Sequence, residues 1–345
     1  MRVMRILSCC VLIAFLAAPC ASAQDRAGAL GQINTDLSKA DGWQRIVENS
    51  GFSLGEKTEW TDGFYRLDYG SYPLIDGSTV SLPMVMEFAW QHQVVRDEDV
   101  PGFVFLTTTH NAYVNLIMQM GNNAPYVAGE MAMMDPEHPV DLFIGTEPSQ
   151  EEQEMAAAQN IALTIEPVCL DAFVFIVNKA NPVNGLTSEH IRAIYRGDIT
   201  SWSEVGGANE AIFPFRRNQN SGSETGMQHT VMRGEPMPAA QENYIAGEME
   251  MLVTRVSDNP YSLGYTYMYY LNNLYLDENI KIISVDGITP DNLSIQTGAY
   301  PFTTRYVGVI RSQDSQKPGG LFLNWIISPE GQACVAQAGY IPVSP

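Results

Sequence analysis

Positive charge is in short supply in this 345-residue chain: 19 Lys and Arg stand against 39 Asp and Glu, a formal net charge of −20. That balance argues against a nucleic-acid binder, whose affinity comes from basic side chains neutralising phosphates. Cysteine is scarce as well, five in all with no C-x-x-C pair, and the histidines His92, His110, His138, His190 and His229 show no ligand spacing. No metal centre is therefore expected. Past the N-terminus no run approaches the roughly 20 apolar residues of a membrane span. Internal repeats and low-complexity tracts are missing, and the G-x-S-x-G elbow of many serine hydrolases is absent around the serines discussed below.

What remains is a globular composition, 45% hydrophobic and 17% charged, in a chain long enough for two domains. The first residues differ in kind. Arg2 and Arg5 form a short basic region, residues 6–18 are apolar and Ala21, Ser22 and Ala23 make a small-residue cleavage site, the pattern of a secretory signal peptide over 1–23. The mature chain is expected to begin at Gln24, in the periplasm or outside the cell. Pro19 before Cys20 suits a lipid-attachment signal poorly, so no anchor is expected there. Losing Arg2 and Arg5 takes the net charge from −20 to −22. Cys169 and Cys334 then remain, and in an oxidising compartment they fit a disulfide or two buried thiols equally well.

Residues 24–72 are loosely patterned and read as an N-terminal extension of no assignable role. From there on, strands alternate with helices, which predicts an α/β architecture with ligand-facing loops at the carboxyl ends of the strands. Four junctions stand out. The first is RNQNSGSET (217–225), a small-residue turn opening a helix. Arg217 offers a planar fork for two oxygens, Ser221 and Ser223 offer hydroxyls, and Gly222 admits close backbone approach. A helix start adds unpaired amides and the positive end of a dipole. The second is DGSTV (76–80), with Ser78, Thr79 and Val80 before a helix that carries Pro83 in its first turn. The third is TTT (107–109), following a predicted buried strand over 103–106. The fourth is GTEP (145–148), after a strand over 140–144 and before a capping box formed by Ser149 and Glu152. Converging on one edge, such turns would bind an anion by local hydrogen bonds against an adverse global field.

Further along, an apolar run over 168–177 and extended segments over 280–285 and 300–310 are expected. Gly264 reads as a break before an aromatic run to Tyr270, expected to pack in the core. Terminal helices follow over 321–327 and 329–338, closed by Gly339.

These segments carry a family resemblance. DGSTVSLP (76–83), TTTHNAY (107–113), LDAFVFIVN (170–178), IYRGDITSW (194–202), RNQNSGSET (217–225), SLGY (262–265) and the stretch 325–340 resemble, in this order, the periplasmic phosphate-binding proteins that serve ABC importers. The resemblance implies an α/β, two-lobed class II periplasmic-binding-protein fold with two hinge crossings. Residues 73–167 and 297–345 would form lobe 1 and 168–296 lobe 2. It implies inorganic phosphate as ligand, a membrane permease as partner, no cofactor, a monomer and no enzymatic activity. Carried over residue by residue, Ser78, Thr79, Val80, Thr108 and Thr109 of lobe 1, and Arg217, Ser221, Gly222 and Ser223 of lobe 2, would hold the anion. The family's first lobe also supplies a carboxylate for the proton of hydrogen phosphate. Thr146 takes its place by direct register and Glu147 is one residue on, with Asp76 as the other candidate. The alternatives are another oxyanion, a small organic acid, or an exported hydrolase using Ser221 or Ser223 with His110 or His229 as base.

Overall fold

The computed structural model describes residues 72–92, 104–122 and 138–343. The expected signal peptide, and the expected extension apart from Tyr72, lie outside these residues. In chain order the elements that build the site are β1 (Ile75–Gly77), a 3-10 turn (Thr79–Ser81) running into α1 (Leu82–Gln91), α2 (Thr109–Ile117), β2 (Leu142–Gly145), α3 (Gln150–Ala158) and β3 (Leu163–Asn178). They continue with α4 (Ser188–Arg196), β4 (Phe213–Pro214), α5 (Gly222–Gly226), α6 (Met249–Asp258), β5 (Ser262–Tyr267), α7 (Met268–Asn273) and β6 (Ile280–Ile282). Last come β7 (Thr303–Arg311), α8 (Pro318–Ile326), α9 (Pro329–Gln337) and β8 (Ile341–Pro342).

The apolar run expected over 168–177 lies within β3, a 16-residue strand on which the rest is assembled. Sheet neighbours follow the order β1-β2-β7-β3-β5-β4, with β6 and β8 also on β3. β1 and β2 are parallel, as are β4 and β5, whereas β3 is antiparallel to all its partners. β3 pairs with β7 from Leu163 to Ala172 and with β5 from Phe173 to Val177, so one strand serves two groups of strands in turn. Its ladder with β7 slips by one residue beside Pro167, which has no N–H to contribute.

Burial explains why β3 is nearly all apolar. Phe173 and Phe175 are fully enclosed with Tyr265 of β5, Phe302 just before β7 and Tyr306 of β7; the Phe173 and Tyr265 rings stack at 5.3 Å. Truncating such a phenylalanine costs about 3–5 kcal/mol through lost contact and the void left behind. A second, smaller cluster packs Tyr113 of α2 against Phe143 of β2, ring centroids 3.9 Å apart, with Val307 and Val309 of β7 beneath.

Local chemistry sets the element ends. Pro83 sits in the first turn of α1, and the α3 capping box is complete, Ser149 N–H donating to Glu152 Oε2 at 2.7 Å. Gly339, at φ +83°, follows α9 in the left-handed region that favours glycine. Two expectations are corrected. Val104 and Leu106 are buried but join no ladder, because Thr107 N–H is taken by Asp76 and Phe105 C=O by Asn122. Gly264 does not break the chain but lies inside β5, where a Cβ would come within 2.7 Å of Leu252 and Val256. Glycine there lets α6 close on the sheet. Cys169 and Cys334 are buried free thiols. Among the described residues no helix is long and apolar enough to cross a membrane.

Candidate functional site

On one side of the site, β1 and β2 end together. A Cβ on Gly77 would lie 2.0 Å from Ile144 C=O, so only glycine allows the two strand ends to abut. Ser81 Oγ then donates to the carbonyls of Ser78 (2.7 Å) and Ile144 (2.8 Å), fixing the turn that carries Ser78, Thr79 and Val80. Thr79 and Val80 open the helical run, where amides have no carbonyl a turn below. Asp76 ties this turn to the next: its carboxylate accepts from Gly77 N–H (2.8 Å), Thr107 N–H (2.7 Å), Thr107 Oγ1 (2.7 Å) and Asn115 Nδ2 (3.0 Å). Burial pushes the Asp76 carboxyl up to about 6 although these donors act to lower it.

The second turn is strained. Thr108, the residue before α2, has φ +80° and ψ 162°, a region almost reserved for glycine. Holding a threonine there costs about 1–3 kcal/mol, and such strain collects at ligand sites. It presents Thr108, Thr109 and the first amides of a nine-residue helix to the same side as Thr79.

Opposite them stands the segment leading into α5. Adjacent arginines meet different fates there. Arg216 pairs with the buried Glu224, which also accepts from Tyr265 Oη. Arg217 forms no ion pair among the described residues. Its Nε donates to Ala246 C=O (3.0 Å), Nη2 to Gly247 C=O (2.9 Å) and Nη1 to Ser223 Oγ (3.4 Å). Burial lowers its pKa, so the fold holds this cation at a cost that no neighbouring carboxylate offsets by direct contact. Ser221 caps α5, its Oγ accepting from Glu224 N–H at 3.2 Å, while Tyr267 Oη holds Gly222 C=O at 2.9 Å.

The two sides enclose a cavity of about 330 Å³ lined by Ser78, Thr79, Val80, Thr108, Thr109, Arg217, Ser221, Gly222 and Ser223. Nine of the eleven expected site residues thus meet in one hollow. Thr146 does not line it but borders a separate small gap beyond Gly222, where a Cβ on Gly222 would fall 2.3 Å from Thr146 Oγ1 and 2.9 Å from Thr109 Oγ1. The Thr146 hydroxyl is buried and has no partner. Glu147 borders the same gap. It points away from the cavity and pairs with Arg305 at 2.8 Å, both side chains about half exposed. Asp76 does not line the cavity either, its oxygens being spent on the two turns.

The carboxylates that do reach the cavity were not anticipated. Glu248 and Glu250 arrive from the start of α6, immediately after the carbonyls that hold Arg217. Tyr267 and Tyr270 complete the wall, so part of the aromatic run has a second role beside packing. A Glu-Met-Glu sequence gives no hint of this, since only the pairing of Arg216–Arg217 with Ile245–Ala246 brings it there. Of the two histidines proposed as bases, His110 lines the cavity and His229 does not. His110 Nδ1 contacts Glu152 Oε1 at 3.0 Å, His229 borders a separate small gap, and neither is hydrogen-bonded to Ser221 or Ser223.

Comparison with known proteins agrees with this frame. A family profile described as a PBP superfamily domain matches residues 126–330. The phosphate-binding protein PstS of Borreliella burgdorferi is 22% identical over 200 residues, 56% of this chain and 69% of the relative. That of Bacillus subtilis is 26% identical over 185 residues, 53% and 59%. An ABC-type phosphate transport receptor from Vibrio cholerae superposes with a TM-score of 0.53 at 20% identity, covering 77% of this chain and 98% of the other. A Clostridium perfringens protein crystallised with bound phosphate gives 0.57 at 21%, covering 79% and 99%. At such identities the structural likeness is one of fold, the α/β, two-lobed binding-protein architecture. Matched by that profile over more than half its length, the chain belongs to the PBP superfamily.

Proposed function

We propose that this chain is an extracytoplasmic solute receptor that captures inorganic phosphate between two lobes and presents it to the permease of an ABC importer. The observation that carries this reading is Arg217, a cation with no carboxylate in direct contact, facing hydroxyl turns and helix starts across one cavity. Such a charge is stabilised by an anion, and a tetrahedral oxyanion matches both the fork and the surrounding donors. The names of the relatives, phosphate-binding protein and phosphate transport receptor, support the choice of ligand.

Binding acts here by closure rather than by catalysis. Lobe 1 supplies the turns at Thr79 and Thr109, lobe 2 supplies Arg217 and Ser221 to Ser223, and the ligand favours the state in which both sets meet. We place the connections between the lobes where β3 exchanges β7 for β5, at Ala172 and Phe173, and where the chain returns at Phe302 and Thr303, slightly later in the chain than the boundaries expected near Pro167 and Thr297. A monomer suffices, since each lobe's share of the site comes from one chain.

Calorimetric titration of the purified exported chain with phosphate, sulfate and molybdate tests the reading. Saturable one-to-one binding of phosphate is expected. Absence of binding by all three anions would overturn it.

A further inference from the structure

A cation that binds an anion through a planar fork needs its main chain held as firmly as the fork itself. The segment carrying Arg217 joins its neighbours only through two paired residues, Arg216 and Arg217 with Ile245 and Ala246, and the next two residues, Asn218 and Gln219, are exposed. What fixes it lies on the inner side. Arg217 N–H donates to Tyr265 Oη at 2.9 Å. Tyr265 is fully buried in β5, its ring stacked on Phe173 at 5.3 Å and 5.8 Å from that of Tyr195. The phenol in turn donates to Glu224 Oε2. Burial, with the Glu224 carboxylate beside it, holds the Tyr265 hydroxyl well above its usual pKa, so it keeps its proton for Glu224 and its lone pairs for the Arg217 amide.

Glu224 is 1% exposed, and its second oxygen accepts from Arg216 Nη2. Its N–H donates to Ser221 Oγ at 3.2 Å; that bond uses the backbone, so a side-chain change at Glu224 leaves the serine cap in place. Neither Tyr265 nor Glu224 lines the cavity. The chain of contacts therefore runs from the packed core to Arg217 without entering the ligand space.

We propose that Tyr265 and Glu224 are positioning residues of the anion site: they fix the main chain of Arg217 against the core, so that its fork faces the cavity before a ligand arrives. This rests on the anion-site reading above and adds to it the residues that orient its cation. Without the phenol, the Arg217 amide and Glu224 Oε2 each lose a buried partner, and the loosened segment has to be ordered on binding.

The test is a double-mutant cycle read by calorimetric titration with inorganic phosphate, using the full chain as wild type, Y265F, R217M and Y265F/R217M. Y265F is expected to weaken binding about tenfold in the wild-type background and less than about twofold in the R217M background, because the phenol acts through Arg217. E224Q, with one acceptor oxygen where two are used, is expected to repeat that pattern. Wild-type affinity in Y265F, or an equal loss in both backgrounds, would overturn the proposal. A measurement on the unmutated protein decides the matter even where a variant fails to fold. The Arg217 amide is expected to resist hydrogen exchange more strongly than that of Gln219, and equally fast exchange at the two would also overturn it. If the wild type binds phosphate, R217M weakens it and Y265F does not, only this inference falls. If the wild type binds no anion, both readings fall.

Discussion

Replacing Arg217 with methionine should make the ligand-free protein no less stable while removing most of its affinity for phosphate. The guanidinium has five N–H donors, and its two firm bonds, to Ala246 C=O at 3.0 Å and Gly247 C=O at 2.9 Å, use two of them. Gly247 is exposed, so water replaces the lost donor there, and Ala246 C=O keeps the N–H of Asn218 at 3.3 Å. Against that small loss stands the relief of a cation whose charged form burial disfavours. Methionine fills a similar volume without charge. The ligand-free melting temperature of R217M is therefore expected to match or exceed that of the wild type. Binding behaves oppositely. A charge-assisted bond to the anion is worth roughly 1.5–3 kcal/mol, so the dissociation constant for phosphate should rise about 10- to 150-fold. Calorimetry measures the affinity, and scanning calorimetry with and without phosphate measures the stability. Wild-type affinity in R217M would refute the assignment of Arg217 to the anion. A large drop in ligand-free melting temperature would refute the account of a cation buried without a contacting carboxylate.

Gly222→Ala would put a methyl 2.3 Å from Thr146 Oγ1 and 2.9 Å from Thr109 Oγ1, so it should hold the lobes apart and weaken phosphate binding about tenfold or more. Small-angle scattering with saturating phosphate checks this, and a compaction equal to the wild type's would contradict it. Glu147→Gln should leave phosphate affinity within about twofold, because Glu147 engages Arg305 in solvent. A loss comparable with that of R217M in calorimetry would restore it to the site. Burial lifts Asp171 to about 7 and Asp76 to about 6, both above the unfolded carboxylate value. Groups raised in this way favour folding most below the unfolded pKa and lose that contribution as pH rises through the folded one. The melting temperature should accordingly decline between about pH 4 and 7, with a shallower slope in D171N. An equal slope in both proteins would exclude Asp171 as a source.

Much of the frame could be read from residue chemistry because local rules decided it. The turn at Ser78, the α3 capping box and the left-handed Gly339 each depend on a few neighbouring residues, and the structure has each of them. Arg217 with its serine turn was legible for the same reason. What escaped reading depends on distant pairing. β5 was obscured by Gly264, whose purpose is the approach of α6 and not a turn. The insertion of β7 between β2 and β3 has no local signal. The outward turn of Glu147 is decided by Arg305, 158 residues away, and the arrival of Glu248 by the pairing of Arg217 with Ala246. The carboxylate composition of the cavity therefore could not be inferred from spacing alone.

The central claim is that turns from both lobes hold one phosphate against Arg217. A crystal structure of the chain grown with phosphate addresses it most directly. The account predicts tetrahedral density touching the amides of Thr79 and Val80, the hydroxyls of Thr109 and Ser223, and the Arg217 fork. Phosphate bound elsewhere, or a cavity containing only water at saturating phosphate, would contradict it.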